Sequence, residues 1–463
     1  MDPARVSVAG DRRCPGRSSS LGAVQPPDVP GPPATLVTQD REPFQPIWCG
    51  DTELSAIAPE DLLLSADSGY GRARVLVRLH GEPLGYASMD VSGDGLSGDD
   101  VRAAILPELL ARLEDHLSQE GLTAGPLRLP VAAASSGCPM VVDEGEEVTV
   151  IVCTRDRPET LRSCLHHLRR LTYDPLNVLI VDNAPSDDRS ERVFNDIVGD
   201  DDRFSYVVEE RPGLSRARNR GWTRATSSIV AYTDDDVSVD PDWVQGIVRG
   251  FRRRHDVGCV SGLVCTASIE GPAEAYFDGR VSWSKNCAPR LYDMAGQRTP
   301  DRLYPYSPGI FGTGANFAFR RELLVTMGGF DEALGAGTRT AGGEDLDAFV
   351  LTLKTGAALA YEPSAIVWHH HRADNDALTK QMYAYGTGFG AFLAKHLIDR
   401  RTRGDVVRRL LVGSVKLFRV PGATRASVPD AASMPPGLLR RELRGMLAGP
   451  LLYLRARRNL RSA

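Results

Sequence analysis

The chain has 463 residues, 42% hydrophobic and 25% charged, a balance that excludes a largely disordered protein. A chain this long can fold without disulfides or a structural metal, and its eight cysteines form no C-x-x-C pair, which predicts buried free thiols in a reducing compartment. The net charge of −5 hides a basic end, because residues 391–463 carry sixteen Lys/Arg against four Asp/Glu. Without a signal-peptide core or a run of about eighteen apolar residues, we expect a cytoplasmic protein that does not span a membrane.

The first third of the chain divides into three parts by composition. Residues 1–45 are rich in Pro, Gly, Ser and Arg and lack apolar periodicity, which predicts a disordered leader. Residues 46–130 are predicted to form a small α+β domain, with two strands in 74–91 and one helix whose apolar face spans 101–117. No catalytic constellation is found there, and residues 131–147 are typical of a linker.

From residue 148 the chain alternates strands and helices. The run VTVIVCT (148–154) is nearly continuous in apolar residues, as in a strand buried on both faces, and further strands are predicted at 178–182, 204–210 and 228–236. Repeated strand–helix units predict an α/β fold with an open, mostly parallel, doubly wound sheet over 148–390. Because ligands bind at the carboxyl ends of such strands, the residues that follow each strand are the candidates for a site.

Two strand ends carry candidates for nucleotide binding. The first strand ends at Thr154 in TRDRP rather than in a glycine-rich fingerprint, which argues against a Rossmann dehydrogenase. Arg157 can meet a phosphate or a base there, or else Asp156 caps the next helix and the arginines stay solvated. Asp182 ends the second strand, where a carboxylate can accept the imide N–H of uracil or thymine, although aspartate is equally common as a turn residue.

The third and fourth strands are followed by a cationic and an acidic segment. GLSRARNRG (213–221) suits an anion, and Asn219 can reach a nucleoside or phosphate, unless these side chains form a solvated helix face. Asp234, Asp235 and Asp236 repel each other at the exit of a buried strand, which costs stability unless a cation or donors compensate. Mg²⁺ and Mn²⁺ prefer such oxygen ligands and bridge them to phosphates. Other D-x-D matches occur, but only this one ends an apolar strand of the doubly wound region.

Two clusters downstream complete the set of candidates. GGEDLD (342–347) opens a helical stretch, and an acid such as Glu344 or Asp345 is favoured there by the helix dipole, whether or not it has a catalytic role. His369 begins a triple histidine after the strand-like run ALAYEPSAIVW. A neutral imidazole can complete a metal site, but three adjacent histidines cannot all face one ion.

Together these segments resemble the inverting family 2 glycosyltransferases of the GT-A fold, bacterial type. The resemblance covers roughly 148–390 and lies in seven motifs that occur in the family's order: VTVIVCTRDRP, VLIVDN, GLSRARNRG, AYTDDD, GTGANFAFRRE, GGEDLD and VWH. It implies a catalytic domain at 148–390, between the α+β domain at 46–130 and a basic, largely helical region at 391–463.

The resemblance also implies roles for individual residues. Asp345 is expected to be the general base, and Asp182 is expected to bind the pyrimidine. Asn316 and Glu344 are expected to lie on the acceptor side. Two larger sets follow: the nucleotide-sugar contacts Thr154, Arg157, Asp182, Asn219, Asp234 and Asp235, and the Mg²⁺ or Mn²⁺ ligands Asp234, Asp236 and His369.

The implied reaction is a metal-dependent, inverting transfer of a sugar from a UDP- or dTDP-sugar to a hydroxyl of a glycan or lipid-linked acceptor. A sugar nucleotidyltransferase is the alternative enzyme, but it would carry a glycine-rich, lysine-containing signature where TRDRP stands. A non-catalytic, nucleotide-sugar-binding relative is disfavoured because the acids and His369 are all present.

The basic end of the chain, 391–463, interleaves apolar positions with arginines. Such segments can lie on an anionic membrane, peripherally on the inner face of the plasma membrane, which would suit a lipid-linked acceptor. The alternative is that their apolar faces pack on the catalytic domain. No zinc-finger or RNA-reading signature accompanies the charge, so nucleic acid is not an expected partner.

Overall fold

The computed structural model describes residues 44–123, 125–142, 145–281, 284–371, 374–417 and 437–462. The predicted leader therefore lies outside the described residues, except for its last two positions. The first part of the fold contains β1 (Ile47–Glu53), β2 (Leu62–Leu64), β3 (Arg72–Leu79), β4 (Glu82–Asp90), β5 (Leu96–Ser97), α1 (Gly98–Ala104) and α2 (Pro107–Gln119).

The predicted strands of 74–91 form the hairpin β3–β4, but the single helix predicted over 101–117 is two helices. Pro107 stands at the start of α2, and its ring forces the preceding Leu106 into an extended conformation, so α1 cannot continue. Ser97 caps α1 through a reciprocal capping box with Asp100.

The N-terminal unit, residues 46–130, is joined to the rest of the chain by strand pairing and by ion pairs. Its sheet has the order β12-β1-β3-β4, and β12 (Ser268–Ile269) comes from beyond the predicted linker. Arg74 forms two hydrogen bonds of 2.8 Å with the carboxylate of Asp278, and Arg78 lies 2.6 Å from Asp240. The predicted linker itself is packed, because Cys138 and Met140 are buried.

The second part of the fold is built on a sheet in which the described residues form nine strands, with the order β10-β15-β11-β14-β9-β6-β7-β8 and with β13 also paired to β15. The six strands β6, β7, β8, β9, β11 and β15 run in one direction and β10, β13 and β14 in the other, which confirms the mostly parallel α/β fold. Its elements are β6 (Val148–Thr154), α3 (Pro158–Leu168), β7 (Leu176–Asn183), α4 (Arg189–Val198), β8 (Phe204–Glu209), α5 (Leu214–Arg224), β9 (Ile229–Asp234), β10 (Val237–Val239), α6 (Trp243–Arg252), β11 (Val257–Thr266), α7 (Pro272–Arg280), β13 (Arg290–Tyr292), β14 (Asn316–Arg320), α8 (Arg321–Met327), α9 (Glu344–Thr355) and β15 (Ala358–His369).

Among the described residues, three helices follow the sheet: α10 (Asn375–Ile398), α11 (Arg403–Leu417) and α12 (Leu438–Ser462). α10 runs unbroken through residue 390, where the end of the catalytic domain was predicted. Glycines let α10 and α12 touch at the backbone: a Cβ on Gly386 would lie 2.1 Å from the Glu442 carbonyl oxygen, and one on Gly390 would lie 2.2 Å from that of Met446. Of the helices described, none is both long and apolar enough to cross a bilayer.

Candidate active site

The polar residues predicted from the strand ends gather at one edge of the sheet. In the register of the parallel strands, Thr154 lies beside Asp182, and Asp234 lies beside the residue before Thr154. His369 ends β15, which runs in the same direction as β9 and is separated from it by the two strands β14 and β11. The carboxyl edge of the sheet therefore carries the acids together, as the α/β topology requires.

The three consecutive aspartates do not face the same way. Asp235 is buried and accepts hydrogen bonds from Thr154 Oγ1 at 2.7 Å and from Arg157 Nη1 at 2.5 Å. The second arm of that guanidinium, Nη2, donates to Asp236 Oδ2 at 2.8 Å. Desolvation raises the pKa of Asp235 to about 6. Thr154 and Asp235 thus support the acidic segment, and their contact with the donor stays a prediction.

A residue that the sequence analysis missed, Arg218, joins the two acidic elements. Its side chain is 3% exposed, with Nη2 3.5 Å from Asp234 Oδ1 and Nη1 donating to Glu344 Oε1 at 2.9 Å. Nη2 also donates at 3.0 Å to the carbonyl of Gly314, whose own N–H donates to Asp345 Oδ2 at 2.9 Å. Position 218 lies on the same face of α5 as the small, buried positions 217 and 221, and this was the available signal for an inward side chain.

The electrostatics of this cleft favour a cation. Desolvation, reinforced by neighbouring carboxylates, raises the pKa of both Asp234 and Glu344 in spite of Arg218. One guanidinium therefore does not compensate the acids around it. Asp236 Oδ1 lies 3.8 Å from His369 Nε2, and Asp234 is two residues before Asp236 in the same segment. This donor set fits a divalent cation such as Mg²⁺ or Mn²⁺.

Asp182 carries an acceptor that no described group satisfies. The side chain is buried, and Tyr206 donates its hydroxyl to Oδ2 at 2.5 Å. Oδ1 is also buried but has no hydrogen-bond partner among the described residues. Desolvation raises the pKa of this carboxyl. A buried acceptor without a hydrogen-bond partner destabilises the protein, so a ligand whose N–H donates to Oδ1 would be bound favourably.

Asp345 is oriented by the backbone. It lies in the first turn of α9, half-buried, with Oδ2 accepting from Gly314 N and Oδ1 accepting from Leu346 N at 2.8 Å. The cap residue Gly343 has φ 93°, and a Cβ there would lie 2.5 Å from the carbonyl oxygen of Gly388 in α10. Close backbone contact with α10 therefore sets where this acid points.

Three predicted contacts have other partners. Asn219 donates to the Phe330 carbonyl at 2.8 Å and accepts from the Phe330 N–H, so its amide holds that loop. Asn316 is 0% exposed and donates to the carbonyls of Leu263 and Ala365, which places it inside the sheet and not on the acceptor side. Glu344 is likewise buried against Arg218 rather than open to an acceptor.

The mostly parallel α/β sheet, with acidic side chains at the carboxyl ends of its strands, agrees with the GT-A-like fold expected from the sequence. Residues 149–328 match the family described as glycosyl transferase family 2, and this part of the chain belongs to that family.

Two curated proteins and one solved structure show what the chain is similar to. Glucosyl-dolichyl phosphate glucuronosyltransferase of Haloferax volcanii is 27% identical over 191 residues, 41% of this chain and 57% of that protein. Pre-mycofactocin glycosyltransferase of Mycobacterium tuberculosis is 26% identical over 254 residues, 54% of this chain and 48% of that protein. The chain spans about half the length of these curated relatives. Mannosyltransferase PcManGT of Pyrobaculum calidifontis, solved with GDP-Man and Mn²⁺, is 21% identical with a TM-score of 0.43, covering 68% of this chain and 86% of that one.

Proposed function

We propose that this protein transfers a sugar, with inversion, from a nucleoside-diphosphate sugar to a hydroxyl acceptor, and that the reaction depends on Mg²⁺ or Mn²⁺. The observation that carries the proposal is the contact of one buried arginine, Arg218, with both Asp234 and Glu344. Asp345, the neighbour of Glu344, thereby lies in the same cleft as the acids that end β9. A single displacement at the sugar carbon requires the base and the acids beside the leaving group to lie close together.

Different residues of the cleft would act on the leaving group and on the attacking hydroxyl. Asp234, Asp236 and His369 would hold the ion, which when bound supplies positive charge against the departing diphosphate. Arg157 keeps Asp236 in place before the donor arrives, so little reorganisation is needed. Asp345 would accept the proton of the acceptor hydroxyl as that oxygen attacks the sugar from the face opposite the leaving group. No enzyme nucleophile is required, and the anomeric configuration inverts.

The reaction products test this function. Purified protein incubated with Mn²⁺, a panel of UDP- and dTDP-sugars and candidate acceptors is expected to release the nucleoside diphosphate, and EDTA is expected to suppress the release. Release of pyrophosphate from a sugar phosphate and a nucleoside triphosphate would identify a nucleotidyltransferase instead. Binding of sugar nucleotides in a thermal-shift panel without any turnover would identify a non-catalytic relative.

Asp182→Ala is expected to weaken the binding of uridine and thymidine donors, because Oδ1 is the proposed acceptor for the imide N–H. A hydrogen bond to a charged group contributes about 1.5–3 kcal/mol, which corresponds to an increase of roughly ten- to a hundredfold in the dissociation constant. Calorimetric titration with UDP checks this. Asp187→Ala, an exposed aspartate on the loop after the same strand, is the matched control. An unchanged affinity in Asp182→Ala would reject the contact with the base.

We also propose that α12 contacts an anionic membrane, where a lipid-linked acceptor would be found. The helix buries Leu438, Tyr453 and Ala456, in line with the expectation that this region packs on the fold. A separate stripe of leucines, three or four residues apart, stays exposed, and exposed arginines flank it. The stripe consists of Leu439, Leu443, Leu447, Leu451 and Leu454. Seven described cysteines are free, which supports a cytoplasmic location.

Leu447→Asp is expected to lower the affinity for phosphatidylglycerol vesicles, measured by sedimentation, by at least about tenfold. The reason is that a leucine side chain contributes about 1.5–3 kcal/mol on leaving water. The side chain is 83% exposed, so the fold should tolerate the change. Val325→Asp, at an exposed position on α8, controls for the added charge. Failure of the wild-type protein to sediment, or equal sedimentation of Leu447→Asp, would contradict membrane contact.

A further inference from the structure

Four metal-ligating side chains converge inside the N-terminal unit, away from the acidic cleft. His80 comes from the turn between β3 and β4, His116 from α2, Glu120 from the residue that ends α2, and Cys138 from the segment before β6. One ligand atom of each lies within 4.8 Å of all the others. The side chains of His80, His116 and Glu120 are 2%, 1% and 0% exposed, and Cys138 is 4% exposed.

The ligand atoms lie close enough together to share one cation. His80 Nδ1 lies 3.0 Å from His116 Nε2, and Cys138 Sγ lies 3.8 Å and 3.6 Å from these two nitrogens. Glu120 Oε1 lies 2.6 Å from the first nitrogen and 2.8 Å from the second. Tetrahedral zinc with ordinary bond lengths separates two nitrogens by about 3.3 Å and a sulfur from a nitrogen by about 3.6 Å.

The outer atoms of both histidines and of the glutamate are engaged by other groups, so their inner atoms face one another. His80 Nε2 donates to the Ala132 carbonyl at 2.8 Å, and His116 Nδ1 donates to Glu82 Oε2 at 2.6 Å. With those nitrogens protonated, the inner nitrogens of neutral rings carry lone pairs. Glu120 Oε2 accepts the Ser135 N–H at 2.8 Å, so Oε1 is the oxygen that turns inward. Such hydrogen bonds to the far side of ligating histidines and carboxylates are the usual support of a metal site.

We propose that His80, His116, Glu120 and Cys138 bind a structural zinc ion. One thiolate and one carboxylate balance the charge of Zn²⁺, and two imidazoles complete four-fold coordination. The thiolate selects zinc over Mg²⁺ and Mn²⁺, which prefer oxygen ligands. Four buried protein ligands leave no position for a substrate, so the ion acts on structure and not on chemistry.

The proposed site ties together three stretches that are distant in the sequence. It joins the β3–β4 hairpin to α2 and to the segment around Cys138, which precedes the first strand of the main sheet. Two residues further on, the Met140 carbonyl accepts a hydrogen bond from Arg249 Nη1 of α6 at 3.0 Å. Zinc would therefore hold the N-terminal unit and the predicted linker in register with the catalytic part.

Metal analysis of the full chain, purified without added metal or chelator, tests the proposal by mass spectrometry. One zinc per chain is expected in the wild-type protein, and less than about a tenth of that in Cys138→Ser and His116→Gln, because each loses a ligand. Cys287→Ser, at a cysteine equally buried at 4%, is the matched control and should keep its zinc. Asp236→Ala should also keep it, which separates this site from the one in the acidic cleft.

Two measurements on the wild-type protein keep the test decisive even if the variants fail to fold. A stoichiometric organomercurial should release the zinc to a chromogenic chelator, since it removes the thiolate. Protein loaded with Co²⁺ should show a thiolate-to-cobalt absorption band in the near ultraviolet, which an all-oxygen site would not give. The proposal would be overturned if the wild-type protein contained no zinc and could not take it up. It would also be overturned if Cys138→Ser retained zinc while Asp236→Ala lost it.

Discussion

Asp345→Asn is expected to lower the turnover number by about 10²–10⁴-fold, the usual contribution of general base catalysis, with little change in the dissociation constant of the donor. The amide has the shape of the carboxylate and its oxygen can still accept the Gly314 N–H, but it cannot accept a proton. Steady-state kinetics together with calorimetric titration of the donor measure the two effects separately.

The control for this variant is Asp376→Asn, which makes the same change at an exposed acid in the first turn of another helix, α10. It should leave turnover unaltered. Unchanged turnover in Asp345→Asn would remove that residue from the mechanism. A loss of donor binding as large as the loss of turnover would assign Asp345 to the support of the cleft instead.

Asp236→Ala is expected to abolish metal-dependent transfer and to weaken Mn²⁺ binding, while the melting temperature stays close to that of the wild-type protein. The fold should persist because Arg157 keeps its hydrogen bond to Asp235. Asp202→Ala, in a D-x-D match at the amino end of β8, is the control and should be fully active. Full wild-type activity in EDTA would refute the metal assignment.

The affinity for Mn²⁺ should also depend on pH. Burial raises the pKa of Asp234, so this carboxyl holds a proton more strongly than an ordinary aspartate does. A cation must displace that proton, and its apparent dissociation constant should therefore rise as the pH falls. Titrations of Mn²⁺ at several pH values measure the slope.

Much of the sheet could be predicted because a strand buried on both faces has to be a continuous apolar run. The prediction for β6 matches its observed bounds, and β7, β8 and β9 lie within two residues of theirs. The acids at their ends stood out for the same reason, since polar residues that follow such runs lie at the carboxyl edge. The antiparallel strand β14 was not predicted, and its first residue, Asn316, was expected on the acceptor side.

The zinc ligands show a second limit of sequence patterns. Only His116 and Glu120 have helical spacing, while His80 and Cys138 lie 36 residues before and 22 residues after His116. No spacing rule connects such a set. The compact hairpin, helix and linker bring the four side chains together only after folding.

The sequence by itself determined the fold class, the order of the strands along the chain and which acids end them, because those features depend on local apolar patterning. Only the tertiary structure decided which polar side chains face the cleft and which face the interior. Arg218 and Asn219 are neighbours in one helix, yet their partners lie 126 and 111 residues away, on different elements. Long-range packing alone brings those partners into contact. With its partners, Arg218 connects two acidic elements, whereas Asn219 holds the loop at Phe330.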